Sequence, residues 1–194
     1  MKKVIICLIL SFIPQLGYSS SNSNEVVNNY VHQLVKDGLD IVQDNNLSQD
    51  AKVAKTKKLI LANLNLNWMA KYTIGSYRRT LTPEQINQFT SVYGNYLGKT
   101  YSDLVKNYHG QIAKVEKIRV IDKGEFMITM LIGTVKVDYL VKEVSDASSK
   151  NALKISDVIT EGVSLINSQQ SEFVNILSGE GGFTKLIEEL RKRS

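Results

Sequence analysis

Two histidines, His32 and His109, and one cysteine, Cys7, are the side chains best suited to general-base, nucleophilic or metal chemistry. No H-x-x-x-H spacing occurs, and Cys7 sits within an apolar N-terminal run, so no metal site is expected. Gly162-Val163-Ser164-Leu165-Ile166 starts like the G-x-S-x-G elbow of hydrolases but has Ile166 where the second glycine belongs. Ser164 therefore reads as a helix cap at a strand-to-helix junction. Ser178-Gly179-Glu180-Gly181-Gly182 lacks the lysine and the Ser/Thr of a phosphate loop and follows a helical pattern, so it reads as a helix end and turn. Asp157 and Glu161 straddle a strand end, and nothing else supports an acid–base pair there. Tyr77-Arg78-Arg79 has two readings: contact with a phosphate headgroup or a partner's acidic face, or a solvated stretch ahead of a helix. No cofactor is expected.

These residues must be positioned by elements whose order is helices, strands, helices. Val27, Tyr30, Val31, Leu34, Val35, Leu39 and Val42 recur at three- and four-residue steps, the stripe of an amphipathic helix. Asn24 is its expected N-cap, after a loose polar start at Ser20 to Asn24. Ser48 caps a second helix through Leu59-Ile60-Leu61, interrupted by Asn63, Asn65 and Asn67 before Trp68. Thr82-Pro83-Glu84-Gln85 is a capping box with proline at the first helical position. From Ile86 to Tyr108 the helical period holds, for about 25 residues or nearly 40 Å. Gly94 and Gly98 within it permit close packing or a bend.

After Gly110 the period becomes two. Lys114–Val120, Phe126–Ile132, Val135–Val141 and Leu153–Val158 are four strands, joined by turns at Asp122–Glu125, Gly133-Thr134 and Asp146–Asn151. Short connections imply an antiparallel meander. Helix resumes near Ser164 with Phe173, Ile176 and Leu177. A last helix carries Phe183, Leu186, Ile187 and Leu190 and ends in Arg191-Lys192-Arg193, where cations suit a helix C-terminus. The fold class is α+β, with a four-stranded antiparallel sheet between N- and C-terminal helices.

The N-terminus has the order of an export signal: Lys2-Lys3, an apolar run from Val4 to Ile13, then Gly17-Tyr18-Ser19. The run is roughly ten residues, against the 18 or so needed to span a bilayer. Residues 1–20 are expected to be cleaved, leaving a single domain at 21–194 without a thiol, hence without a disulfide. The formal charge of +5, less Lys2 and Lys3, becomes +3. That is mild: it disfavours nucleic acid and modestly favours anionic membrane surfaces.

One strand is apolar on both sides. Met127, Thr129 and Leu131 line one side; Phe126, Ile128, Met130 and Ile132 line the other. Either helices cover both faces, or one face lines a cavity for an apolar ligand. Methionines suit an adaptable cavity wall.

Asp157-Val158-Ile159-Thr160-Glu161-Gly162-Val163-Ser164 resembles the D-V-x-x-E-G-V-S signature of the MlaC (toluene-tolerance) family. The likeness continues through Gln170-Ser171-Glu172-Phe173 and the tail from Gly181 to Leu190. Upstream it takes in Trp68-Met69-Ala70, Arg78-Arg79, Thr82 to Gln85, Phe89, and Val137-Asp138-Tyr139. Tyr77 and Leu153 stand where tryptophan is frequent in the family. The resemblance implies a nuclear-transport-factor-2-like twisted sheet decorated with helices. It further implies a soluble periplasmic shuttle holding the acyl chains of one phospholipid. Its partners would be an outer-membrane lipoprotein–porin complex and an inner-membrane MCE-domain ABC transporter complex, and its role would be to maintain outer-membrane lipid asymmetry. On this reading the protein is not an enzyme. Phe89, Tyr93, Met127, Thr129, Leu131, Val137, Tyr139 and Val163 are expected to line the lipid pocket, with Arg78 or Arg79 near the mouth. The alternatives are an envelope adaptor without ligand and a lipid-modifying enzyme relying on a residue such as His109.

Overall fold

The structure, a computed structural model, describes residues 20–145 and 152–194. Residues 1–19 of the expected signal, and the expected turn at 146–151, lie outside the described residues. Four helices come first: α1 (Ser20–Gln43), α2 (Gln49–Asn63), α3 (Leu66–Thr73) and α4 (Pro83–Ser102). Five strands follow: β1 (Ala113–Asp122), β2 (Glu125–Ile132), β3 (Val135–Val144), β4 (Ala152–Thr160) and β5 (Val163–Ser164). Helices α5 (Leu165–Ser178) and α6 (Gly182–Lys192) close the chain. The sheet is an antiparallel meander in the order β1-β2-β3-β4-β5. The two-residue β5 is the one strand that the period of the sequence does not reveal.

Local chemistry sets most boundaries. Ser48 accepts the Ala51 N–H to open α2. Thr82 and Gln85 form the reciprocal capping box of α4, with Pro83 at the first helical position. Two expectations are corrected. Asn24 does not cap α1, which already runs from Ser20. The long helix ends at Ser102, and residues Asp103–Asn107 tighten into a 3₁₀ turn anchored by ion pairs from Asp103 to Lys99 and Lys106. Gly133-Thr134 joins Ile132 directly to its partner Val135. Glu161 and Gly162 make the equivalent join between Thr160 and Val163, both with positive φ (52° and 79°). Positive φ at both central residues is the conformation of a type I′ hairpin turn, whose twist matches the strands.

The solid part of the core lies among α4, α5 and α6. Phe89 stacks on Tyr93 at 5.5 Å, and both meet Phe173 edge-on at 5.9 Å. Leu186 and Leu190 of α6 are buried beside them. The Tyr93 hydroxyl donates to Gln169 Oε1, so the deepest polar atom of this cluster is satisfied. The α4 glycines serve close packing. A Cβ on Gly94 would meet Leu66 Cδ2 at 2.8 Å, and one on Gly98 would meet Lys57 Cε at 2.9 Å.

Buried Asp157 ties sheet to helix. Its carboxylate accepts the Ser164 hydroxyl at 2.6 Å, the Val158 N–H at 2.8 Å and the Ile166 N–H at 3.2 Å. Ser164 in turn accepts the Asn167 N–H as cap of α5. The Asp157…Ser164 stretch is thus a joint that aims α5 off the end of the sheet. On the free edge of β4, Leu64 pairs with Ile155 and the Asn65 N–H donates to the Ile155 carbonyl at 2.8 Å. That clamp seats the α2–α3 junction against the sheet and covers an otherwise unpaired edge.

Candidate functional site

Away from the aromatic cluster, α1, α2 and the end of α4 stand over the sheet without filling the space beneath them. A cavity of about 930 Å³ remains there. That is the upper end of what ligand pockets enclose. From α1 it is walled by Tyr30, Leu34, Gly38 and Val42, from α2 by Leu59 and Ile60, and from the 3₁₀ turn by Leu104 and Val105. Its floor is the sheet row Ile128, Met130, Val137, Tyr139 and Val141 with Ile155. Among the described residues, no Asp, Glu, Lys, Arg or His lines it. Leu104 and Val135, both lining residues, are 60% and 46% exposed, so the cavity reaches solvent between the 3₁₀ turn and the β2–β3 hairpin.

The helices are unfilled for a reason visible in their burial. Helix α2 contributes Leu59 and Ile60 to the wall, yet none of its residues is fully buried. Apolar groups that face a void lose the contacts a packed core would return. The walls are nevertheless fixed. Gln43 Nε2 bonds the Tyr108 hydroxyl at 3.2 Å, and Lys52 Nζ bonds the Val42 carbonyl at 2.7 Å. These contacts hold the C-terminal end of α1 at the cavity's open side. Burial raises the phenols of Tyr30, Tyr101 and Tyr139, three wall residues, above their ordinary pKa. They stay neutral, in keeping with the uncharged wall.

The residues expected from sequence divide. Val137 and Tyr139 line the cavity. Met127, Thr129 and Leu131 do not: the pleat turns them to the opposite face of β2, where the Thr129 hydroxyl donates to Asp138. The physical reason is register. A two-residue turn pairs Met130 with Val137 and Ile128 with Tyr139, so those four share one face, and Met127, Thr129 and Leu131 share the other. Phe89 and Tyr93 are wholly buried against Phe173 and do not reach the cavity. Val163 is 62% exposed on β5 and is not a wall residue. Arg78 and Arg79 lie exposed on the 3₁₀ turn Gly75–Arg79, which packs on α5 rather than at the cavity mouth. Sequence reasoning missed the α1 and α2 walls, although the α1 stripe was legible. It also missed the Ile128–Met130 row, which hairpin pairing from Gly133-Thr134 would have selected.

Neither histidine lines the cavity, and both are exposed. Ser164 is occupied as donor to Asp157 and acceptor from Asn167. Among the described residues no three His, Cys, Asp or Glu side chains group to hold a metal, and no helix is long and apolar enough to cross a membrane.

The family model described as MlaC protein matches residues 32–192. A Haemophilus influenzae relative, described as the intermembrane phospholipid transport system binding protein MlaC, is 21% identical over 142 residues. That match covers 70% of this chain and 66% of the relative, just under two thirds of its length. A solved structure from Ralstonia solanacearum, described as a phospholipid-binding protein in complex with a phospholipid, aligns with a TM-score of 0.72 at 21% identity. It covers 85% of this chain and 94% of that one, a likeness of fold.

Proposed function

The chain belongs to the MlaC family, and from that premise we propose that it is a periplasmic phospholipid carrier. One observation carries the reading: an uncharged cavity of about 930 Å³ that opens to solvent between apolar residues. Such a cavity is suited chiefly to removing hydrocarbon from water; its wall also carries the buried hydroxyls of Tyr30 and Thr56. Each CH₂ kept out of water is worth about 0.8 kcal/mol, so burial of the acyl chains in the cavity offsets what they would lose on leaving a bilayer for water. The relatives' printed descriptions, phospholipid transport and phospholipid binding, fit that cargo.

The acyl chains lie between α1, α2 and the sheet, and the headgroup stays at the mouth, where charge remains hydrated. The protein acts by binding and release, not by catalysis. Residues 1–20 serve as a cleaved export signal, and residues 21–194 form the carrier domain. The exchange partners are the outer-membrane lipoprotein–porin complex and the inner-membrane MCE-domain transporter, with outer-membrane lipid asymmetry as the result. Exposed Arg78 and Arg79, outside the cavity, are available to an acidic surface on such a partner.

The test is native mass spectrometry of protein purified without detergent, with organic extraction of any adduct. A stoichiometric phospholipid mass is the expected result. A bare polypeptide that gains no mass after incubation with liposomes would overturn the carrier reading in favour of an adaptor without ligand.

A further inference from the structure

Gly38 sits inside α1, one turn before Val42 and within the cavity wall. Three ordinary reasons account for a glycine in a helix: a left-handed backbone, a close approach by a neighbour, or a helix end. None applies. Its φ is not positive, and five helical residues follow it before α1 ends at Gln43. A Cβ built on it would meet nothing within 4 Å. Gly94 and Gly98 are the contrast, since each has a side chain pressed against it at under 3 Å. Glycine is also the poorest non-proline residue for a helix interior. The position therefore gives up helix propensity with no packing return inside the protein. What it leaves is width.

That width lies where cargo must pass. The helix end beyond Gly38 is fastened by Gln43 to Tyr108, and Leu104 of the neighbouring 3₁₀ turn borders the opening. Across the cavity the floor is formed by the side chains of the β2–β3 row, so a side chain at 38 would project into the cavity's cross-section. We propose that Gly38 is a specificity-determining residue: its missing side chain gives the cavity room for two acyl chains side by side. The proposal rests on the phospholipid-carrier reading and deepens it by naming the residue that sets the cavity's width.

The experiment compares wild-type protein with Gly38→Ala, Gly38→Leu and Gly38→Phe. Each is stripped of lipid and titrated with dipalmitoyl-phosphatidylglycerol and, separately, with its single-chain lyso form, using native mass spectrometry. Circular dichroism and melting temperature report on the fold. The expected result is a graded loss of the diacyl lipid, tenfold or more for the leucine and phenylalanine variants. The lyso lipid should be retained, with the melting temperature equal to or above that of wild type. Wild-type affinity of Gly38→Phe for the diacyl lipid overturns the proposal, as does equal loss of both lipids by a folded variant. If Gly38→Phe does not fold, Gly38→Leu decides on the same criteria. If wild type takes up neither lipid, the carrier reading itself has failed, a result distinct from either.

Discussion

The two halves of the helical layer use the same residue types to opposite ends. Where α4, α5 and α6 meet, Phe89, Tyr93, Phe173 and Leu186 are wholly enclosed, and even the Tyr93 hydroxyl has its partner in Gln169. Where α1 and α2 meet the sheet, Leu34, Leu59, Ile60 and Tyr139 are no more than partly buried and surround about 930 Å³ of space. The first half is a core that stabilises. The second is a core lacking one component. The difference teaches that apolar content does not identify a binding site; unfulfilled apolar contact does.

The largest expected effect tests that contrast. Phe173→Ala should lower stability by about 3–5 kcal/mol in urea unfolding, because it opens a void in a filled region. Leu34→Ala, in the wall of a space already empty, should cost under about 1.5 kcal/mol in lipid-free protein, since few contacts are lost. Equal costs would erase the distinction between the halves.

Next comes the joint between sheet and α5. Asp157→Ala removes the acceptor of the Ser164 hydroxyl and of the Val158 and Ile166 N–H groups in a buried setting. A loss of about 2–4 kcal/mol is expected by thermal or urea unfolding. Lipid stoichiometry should be unchanged in the fraction that remains folded. A loss of lipid without a loss of stability would make Asp157 part of the site rather than part of the joint.

Alkaline pH weakens both halves by one mechanism. Burial raises the pKa of Tyr93 in the solid half and of Tyr30, Tyr101 and Tyr139 around the cavity. A raised folded-state pKa means that the folded protein prefers the neutral phenol. That stabilisation is complete below the ordinary value of 10.0 and is lost progressively as pH climbs beyond it. The urea midpoint should be level from pH 8 to 9.5 and fall above 10. The fall should be shallower in Tyr139→Phe. A flat profile to pH 11.5 would contradict the burial assigned to these rings.

The smallest effect is a gain. Gly38→Ala should add about 0.5–1 kcal/mol, the helix-propensity difference, because nothing opposes its methyl group. Gly94→Ala should lose stability through its 2.8 Å encounter with Leu66. Opposite signs at two helical glycines would restate the contrast between open and filled halves in a pair of melting curves.

Sequence alone determined the local architecture. The capping box at Thr82, the cap at Ser48, the meander and the Ser164 junction all follow from interactions within a few residues, and the structure has each of them. The E-G-V-S stretch pointed to the family, and the chain's match over residues 32–192 agrees. The cavity was only half legible. Alternation along β2 showed two apolar faces but carried no information on which one α1 and α2 would stand over. The aromatic pair Phe89 and Tyr93 likewise revealed a buried helix face without revealing that Phe173 would fill the space before it. Period assigns side chains to faces because it is a property of one segment. Whether a face meets a partner or a void depends on contacts between segments distant in sequence, and only the tertiary structure decided that.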